Sequence, residues 1–86
     1  MPFIVQLPKK VERELSLLPD FVIDKILLNL KKLSSNPFPQ SSKKLQNRAG
    51  YRIRVGDYRI IYEVVQEEKL IIIQRVAHRK DVYRGK

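Results

Sequence analysis

Apolar and polar positions change their spacing twice along the chain, and each spacing predicts a different kind of element. Phe3 to Leu7 is a short apolar run broken by Gln6 and bounded by Pro2 and Pro8, which predicts a first strand at a sheet edge. Pro8 suits the first turn of a helix. Val11, Leu15 and Leu18 follow at helical spacing with Lys9, Lys10, Glu12 and Arg13 outward, giving a short amphipathic helix that ends near Pro19. Asp20 suits the N-cap of a longer helix to about Ser34, where S-S-N-P-F-P stops it. Val22, Ile23, Ile26, Leu27, Leu30 and Leu33 make one broad apolar face of that helix, while Phe21 and Leu28 fall on the other side. Those two residues are either isolated exposed apolar groups or a surface for a partner protein. Ser35 to Asn47, rich in Ser, Pro, Asn, Gln and Lys, reads as a loop.

Strict alternation begins at Tyr51. Tyr51, Ile53 and Val55 share one face of a strand and Arg52 and Arg54 the other, because successive side chains of a strand point to opposite sides. Gly56-Asp57 is a strong hairpin signal, and the return strand carries Arg59 followed by Ile60, Tyr62 and Val64 alternating with Ile61, Glu63 and Val65. A rigid hairpin thus holds the guanidinium groups of Arg52, Arg54 and Arg59 over one small area. A second turn at Glu67 to Lys69 leads into a strand from Leu70 to about Val76 or Ala77, whose apolar start suits an interior position. The order strand, helix, helix, then three strands predicts an α+β fold. It places an N-terminal helical hairpin on one face of a small, mostly antiparallel sheet.

Length and charge narrow the picture further. The 86 residues suit a single domain with a small core, and no linker or repeat divides them. With no cysteine and one histidine the sequence offers no metal site, and no apolar run approaches the roughly 18 residues of a membrane span, so a cytoplasmic protein is expected. The formal charge of +9 is concentrated. Lys43, Lys44, Arg48, Arg52, Arg54 and Arg59 face only Asp57 between Gln40 and Tyr62, and Arg75, Arg79, Lys80, Arg84 and Lys86 face only Asp81 from Gln74 onward. The remainder is neutral. A concentrated basic surface favours a polyanion, above all nucleic acid.

The chemistry available is that of donors. The sequence offers no nucleophile with its base, no phosphate-binding glycine loop and no metal cluster, but the tail adds His78, Arg79, Lys80 and Tyr83 to the hairpin arginines. If the last strand neighbours the hairpin, its end would deliver these residues to the same surface. Such a set can bind a phosphodiester, stabilise extra negative charge on it and move protons. RNA supplies its own nucleophile in the 2′-hydroxyl. Arginine suits the dianionic phosphorane because its planar fork donates two bonds to phosphate oxygens, and an imidazole suits proton transfer. His78 could equally be structural, and Tyr83 could stack on a base or pack in the core.

The segments Y-R-I-R-V-G-D-Y-R-I-I-Y (Tyr51 to Tyr62) and V-A-H-R-K-D-V-Y-R (Val76 to Arg84), separated by one strand, resemble the RelE family of bacterial and archaeal toxins within the RelE/ParE superfamily. The resemblance covers the whole chain and implies a βααβββ, RelE-like fold. It further implies a toxin of a type II toxin–antitoxin pair that acts without a cofactor as an mRNA interferase. This endoribonuclease cleaves message in the ribosomal A site, leaves a 2′,3′-cyclic phosphate and a 5′-hydroxyl, and is neutralised by a cognate antitoxin. By the same resemblance, Arg52 and Arg54 match basic residues that are lysines in RelE itself, Arg59 the arginine of a Y-R-h-h-Y pattern, Arg79 the arginine after the last strand, and Tyr83 the tyrosine of the tail. Arginine in place of lysine confines Arg52 and Arg54 to phosphate and transition-state binding and leaves the general base open, with His78 proposed as general base or acid and Tyr83 as its competitor or stacking partner. Lys43, Lys44, Arg48 and Lys80 would add phosphate contacts, and Phe21 and Leu28 would anchor the antitoxin. A ParE-like inhibitor of DNA gyrase and a non-catalytic basic RNA-binding protein are the alternatives.

Overall fold

A computed structural model of the chain describes residues 2–46, 48–78 and 80. Strand β1 (Ile4–Gln6) leads into helices α1 (Lys9–Ser16) and α2 (Asp20–Ser35), followed by strands β2 (Lys43–Lys44), β3 (Tyr51–Val55), β4 (Tyr58–Val65) and β5 (Leu70–His78). The five strands form one sheet in the order β1-β5-β4-β3-β2. All neighbours are antiparallel except β1 and β5, which run parallel with Ile4 opposite Leu70. The α+β architecture is therefore the expected one, with β5 in the interior and β1 at an edge.

Helical periodicity accounts for the core. Val11 and Leu15 of α1 and Val22, Ile26, Leu30 and Leu33 of α2 are buried against Ile53, Val55, Ile60, Tyr62, Ile71, Ile73 and Val76 of the sheet. Those strand residues lie on one face, as alternation requires, so both helices cover that face and leave the other open. Phe21 and Leu28 are 66% and 55% exposed, in keeping with their place on the outer side of α2.

Three details differ from the sequence reading. Asp20 is the first residue of α2, and the N-cap is Pro19, whose extended backbone starts the helix without a side-chain cap. Within the segment read as a loop, Lys43–Lys44 pairs antiparallel with β3 as a short edge strand. A backbone bond of 3.0 Å from the Leu45 N–H to the Gly50 carbonyl closes the turn behind it. The last strand also runs on to His78.

The edge of β5 beyond β1 is closed by a side chain. Glu14 of α1 accepts the Val76 backbone N–H at 3.0 Å with one oxygen and the Arg75 Nε at 3.0 Å with the other. An exposed strand edge is thereby satisfied where, among the described residues, no further strand follows.

Candidate functional site

The site is built on the β3–β4 hairpin. Gly56 has φ of +60° and Asp57 does not share the positive sign, the pattern of a II′ turn that admits glycine at its first central position. Val55 pairs with Tyr58 across it, which sets the register of everything behind. Arg54 then stands directly opposite Arg59, Arg52 opposite Ile61, and Lys43 of β2 opposite Arg52. All of these lie on the face that the helices leave open.

Lys43, Arg52, Arg54 and Arg59 line one concavity of about 250 Å³ with Ser41 and Ile53, and among the described residues no carboxylate lines it. Arg52 and Arg59 are half-buried, whereas Lys43 and Arg54 are exposed. Ile61 is only 4% exposed although no helix among the described residues covers this face. Its cross-strand neighbours are Arg52 and Arg75, whose aliphatic stems can shield it, and Arg75 turns its Nε to the Glu14 carboxylate. Four cations gathered on one concavity, with no carboxylate among its described lining residues, suit a ligand carrying several negative charges.

Tyr62 fixes the segment that brings Ser41 and Lys43 to this face. Fully buried, it donates a 2.8 Å hydrogen bond from its hydroxyl to the Pro37 carbonyl, and it stacks on Tyr51 with centroids 6.0 Å apart. Burial pushes its phenol above the ordinary value of 10.0, with a hydrogen bond to Ser42 acting the other way. Gly50 is needed beside it: a Cβ there would sit 2.9 Å from the Tyr62 carbonyl oxygen, and φ is +120°.

Other candidates lie elsewhere. Lys44 pairs with Tyr51, so alternation turns it from the arginine face. Arg48 donates to the Gln74 Oε1 at 2.9 Å, and Gln74 donates to the Glu63 Oε1 at 3.1 Å, which places it at the end of the sheet away from the hairpin turn. Lys80 is exposed, and its backbone N–H donates to the His78 Nδ1 at 3.2 Å. Arg79 and Tyr83 fall outside the described residues.

His78 does not join the arginines, contrary to expectation. It pairs with Tyr58, makes an edge-on ring contact with it at 5.4 Å, and lines a groove with Phe21 and Val22 of α2, all on the helix side. The cause is a β-bulge. Tyr62 pairs with Ile73 but Ile61 with Arg75, so β5 holds one extra residue, Gln74, and its alternation changes phase. Ile71 and Ile73 before the bulge and Val76 and His78 after it consequently share one face. Ser41 and Ile61 were missed as parts of the site. Ile61 could have been found because it is in phase with Arg59, but Ser41 carries no signal of its own.

A small basic α+β domain whose open sheet face gathers cations at a hairpin is the class these observations define. The comparisons with known proteins are specific. The family model described as "ParE toxin of type II toxin-antitoxin system, parDE" matches residues 5–83. Toxin RelE1 of Methanocaldococcus jannaschii is 30% identical over 89 residues, spanning 99% of this chain and 99% of that protein. The chain therefore belongs to the RelE/ParE family of type II toxin–antitoxin toxins. Among solved structures it is similar to the toxin–antitoxin complex RelBE2 of Mycobacterium tuberculosis (TM-score 0.83, 28% identity, 94% of this chain and 95% of that one). It is likewise similar to the archaeal RelE–RelB complex of Pyrococcus horikoshii OT3 (TM-score 0.80, 29% identity, 94% and 99%).

Proposed function

We propose that this toxin is an mRNA interferase that cleaves message in the ribosomal A site and so stops translation. The observation that carries the reading is the concavity lined by Lys43, Arg52, Arg54 and Arg59, with no carboxylate among its described lining residues. In the proposed reaction the 2′-hydroxyl of the substrate attacks the adjoining phosphate, the 5′-oxygen of the next nucleotide leaves, and a 2′,3′-cyclic phosphate remains. Arg52, Arg54 and Arg59 hold the phosphate oxygens and stabilise the charge that grows on them in the transition state. Arg79 would add to this role, following the family resemblance. Since His78 lies across the sheet from the arginines, proton transfer is assigned to Tyr83 in its place, again on the resemblance alone.

The partner is a cognate antitoxin, as in the solved complexes of the related toxins. Phe21 and Leu28, both exposed on the outer side of α2, are its proposed anchors. No helix among the described residues is long and apolar enough to cross a membrane.

The match to a ParE family model keeps one other reading in play, inhibition of DNA gyrase by protein binding. Product analysis separates the two. Message recovered from a translation reaction containing the purified chain should carry new 2′,3′-cyclic phosphate and 5′-hydroxyl ends. Intact message together with loss of gyrase supercoiling would replace the ribonuclease reading. A basic RNA-binding protein without activity would slow translation and leave no new ends.

A further inference from the structure

A second cleft adjoins the arginine concavity. It holds about 340 Å³ between the C-terminal half of α2 (Asn29, Lys32, Leu33), the segment after it (Asn36, Pro39, Ser41) and Ile53 of β3. Ser41 and Ile53 line both this cleft and the arginine concavity, so a bound chain can pass from one to the other around the short edge strand. Pairing between β2 and β3 stops at Lys43 and Arg52, which leaves that passage uncovered by a strand.

The lining suits a flat, polar-edged ring. Leu33 and Ile53 are buried and present apolar walls, and Pro39 adds an apolar flank. Local hydrogen bonds orient the two asparagines in opposite senses. Asn29 donates its Nδ2 to the Lys25 carbonyl at 2.9 Å, which leaves its side-chain oxygen as an acceptor. Asn36 accepts the Phe38 N–H at 3.2 Å with its Oδ1, which leaves its amide hydrogens as donors. One acceptor and one donor over apolar walls match the alternating donor and acceptor edge of a nucleobase. The volume lies near the lower end of the roughly 300 to 1,000 Å³ usual for small-molecule sites.

We propose that this cleft is a nucleobase subsite, taking the base of the nucleotide next to the phosphate held by Arg52, Arg54 and Arg59. The inference rests on the RNA reading above and adds to it a determinant of sequence preference. Asn29 and Asn36 read the base edge, and Lys32 faces the backbone that follows.

Nuclear magnetic resonance on the nitrogen-15-labelled full chain tests it. The probe is a 2′-O-methyl trinucleotide, whose blocked hydroxyl prevents cleavage, beside the same trinucleotide with its central base removed. With the intact probe, the side-chain amides of Asn29 and Asn36 and the backbone amide of Ser41 should shift together with the Nε signals of Arg52 and Arg54. The abasic probe should move only the arginines and bind about fivefold to tenfold more weakly, the loss of one or two hydrogen bonds. The double variant Asn29→Ala, Asn36→Ala should bind both probes alike. Arginine shifts without any change at the asparagines would overturn the subsite and leave the phosphate reading standing. Silence at both sets would overturn the RNA reading, and the subsite with it.

Discussion

Arg54 and Arg59 stand directly opposite each other across the β3–β4 hairpin, two guanidinium groups in register on an open sheet face. Like charges directly opposite each other disfavour a strand pair, and among the described residues no carboxylate lines the concavity they share. A phosphate bound between them would offset that repulsion. We predict that Arg54→Ala, at an exposed position, raises stability by about 0.2 to 1 kcal/mol in urea titration while weakening RNA binding. A fall in stability would show that the pair is not strained in the free protein.

Tyr62 carries the other half of the site. Its bond to the Pro37 carbonyl is buried, so Tyr62→Phe removes a donor and leaves that carbonyl without it, at a cost of about 1 to 3 kcal/mol. The change should also loosen the segment that places Ser41 and Lys43. Amide exchange in residues 38–44 reports this directly.

Alkaline pH gives a separate test of the same residue. Burial raises the Tyr62 phenol above 10.0, so the folded chain keeps this proton where the unfolded chain has released it. Its stabilising contribution is complete below about pH 10 and is lost as pH rises through the higher folded value. The wild type should therefore lose stability above pH 10 more steeply than Tyr62→Phe, the difference between the two curves isolating this group. Parallel curves would contradict it.

At the opposite edge, Glu14 closes β5 through the Val76 N–H and the Arg75 side chain. We expect Glu14→Ala to lower stability by about 1 to 3 kcal/mol, chiefly through the strand N–H it leaves without that acceptor. Thermal unfolding measures the change, and a shift within error would show that water replaces the carboxylate.

Phe21→Asp combined with Leu28→Asp should leave folding nearly unchanged, because both side chains are exposed. Affinity for the antitoxin should fall by at least about tenfold. Calorimetry that finds unchanged affinity would move the antitoxin to another surface.

Periodicity made most of this fold legible. The helix faces of Val11, Leu15, Val22, Ile26, Leu30 and Leu33 and the alternation of Arg52 with Ile53 are local patterns, and each maps directly onto burial. Two features resisted for different reasons. The Lys43–Lys44 strand is too short to carry a pattern and exists only through its pairing with β3. The position of His78 depends on one extra residue at Gln74, and a bulge leaves no mark on the run I-I-I-Q-R-V. A reading that assumed unbroken alternation could not see that the phase changes between Ile73 and Val76. The arginine cluster was legible because no bulge interrupts its own hairpin, whereas the segment carrying Ser41 is held by long-range contacts, the Tyr62 hydrogen bond to Pro37 and the Phe38–Tyr51 ring contact.

The most direct test of the central claim is primer-extension mapping of message breaks in a cell-free translation reaction, run with the purified chain and with an Arg52→Ala, Arg54→Ala variant. Breaks at A-site codons with the wild type, reduced at least about a hundredfold in a variant that remains folded, are the predicted result. Equal cleavage by the two proteins would mean that the open arginine face is not where the phosphate is held.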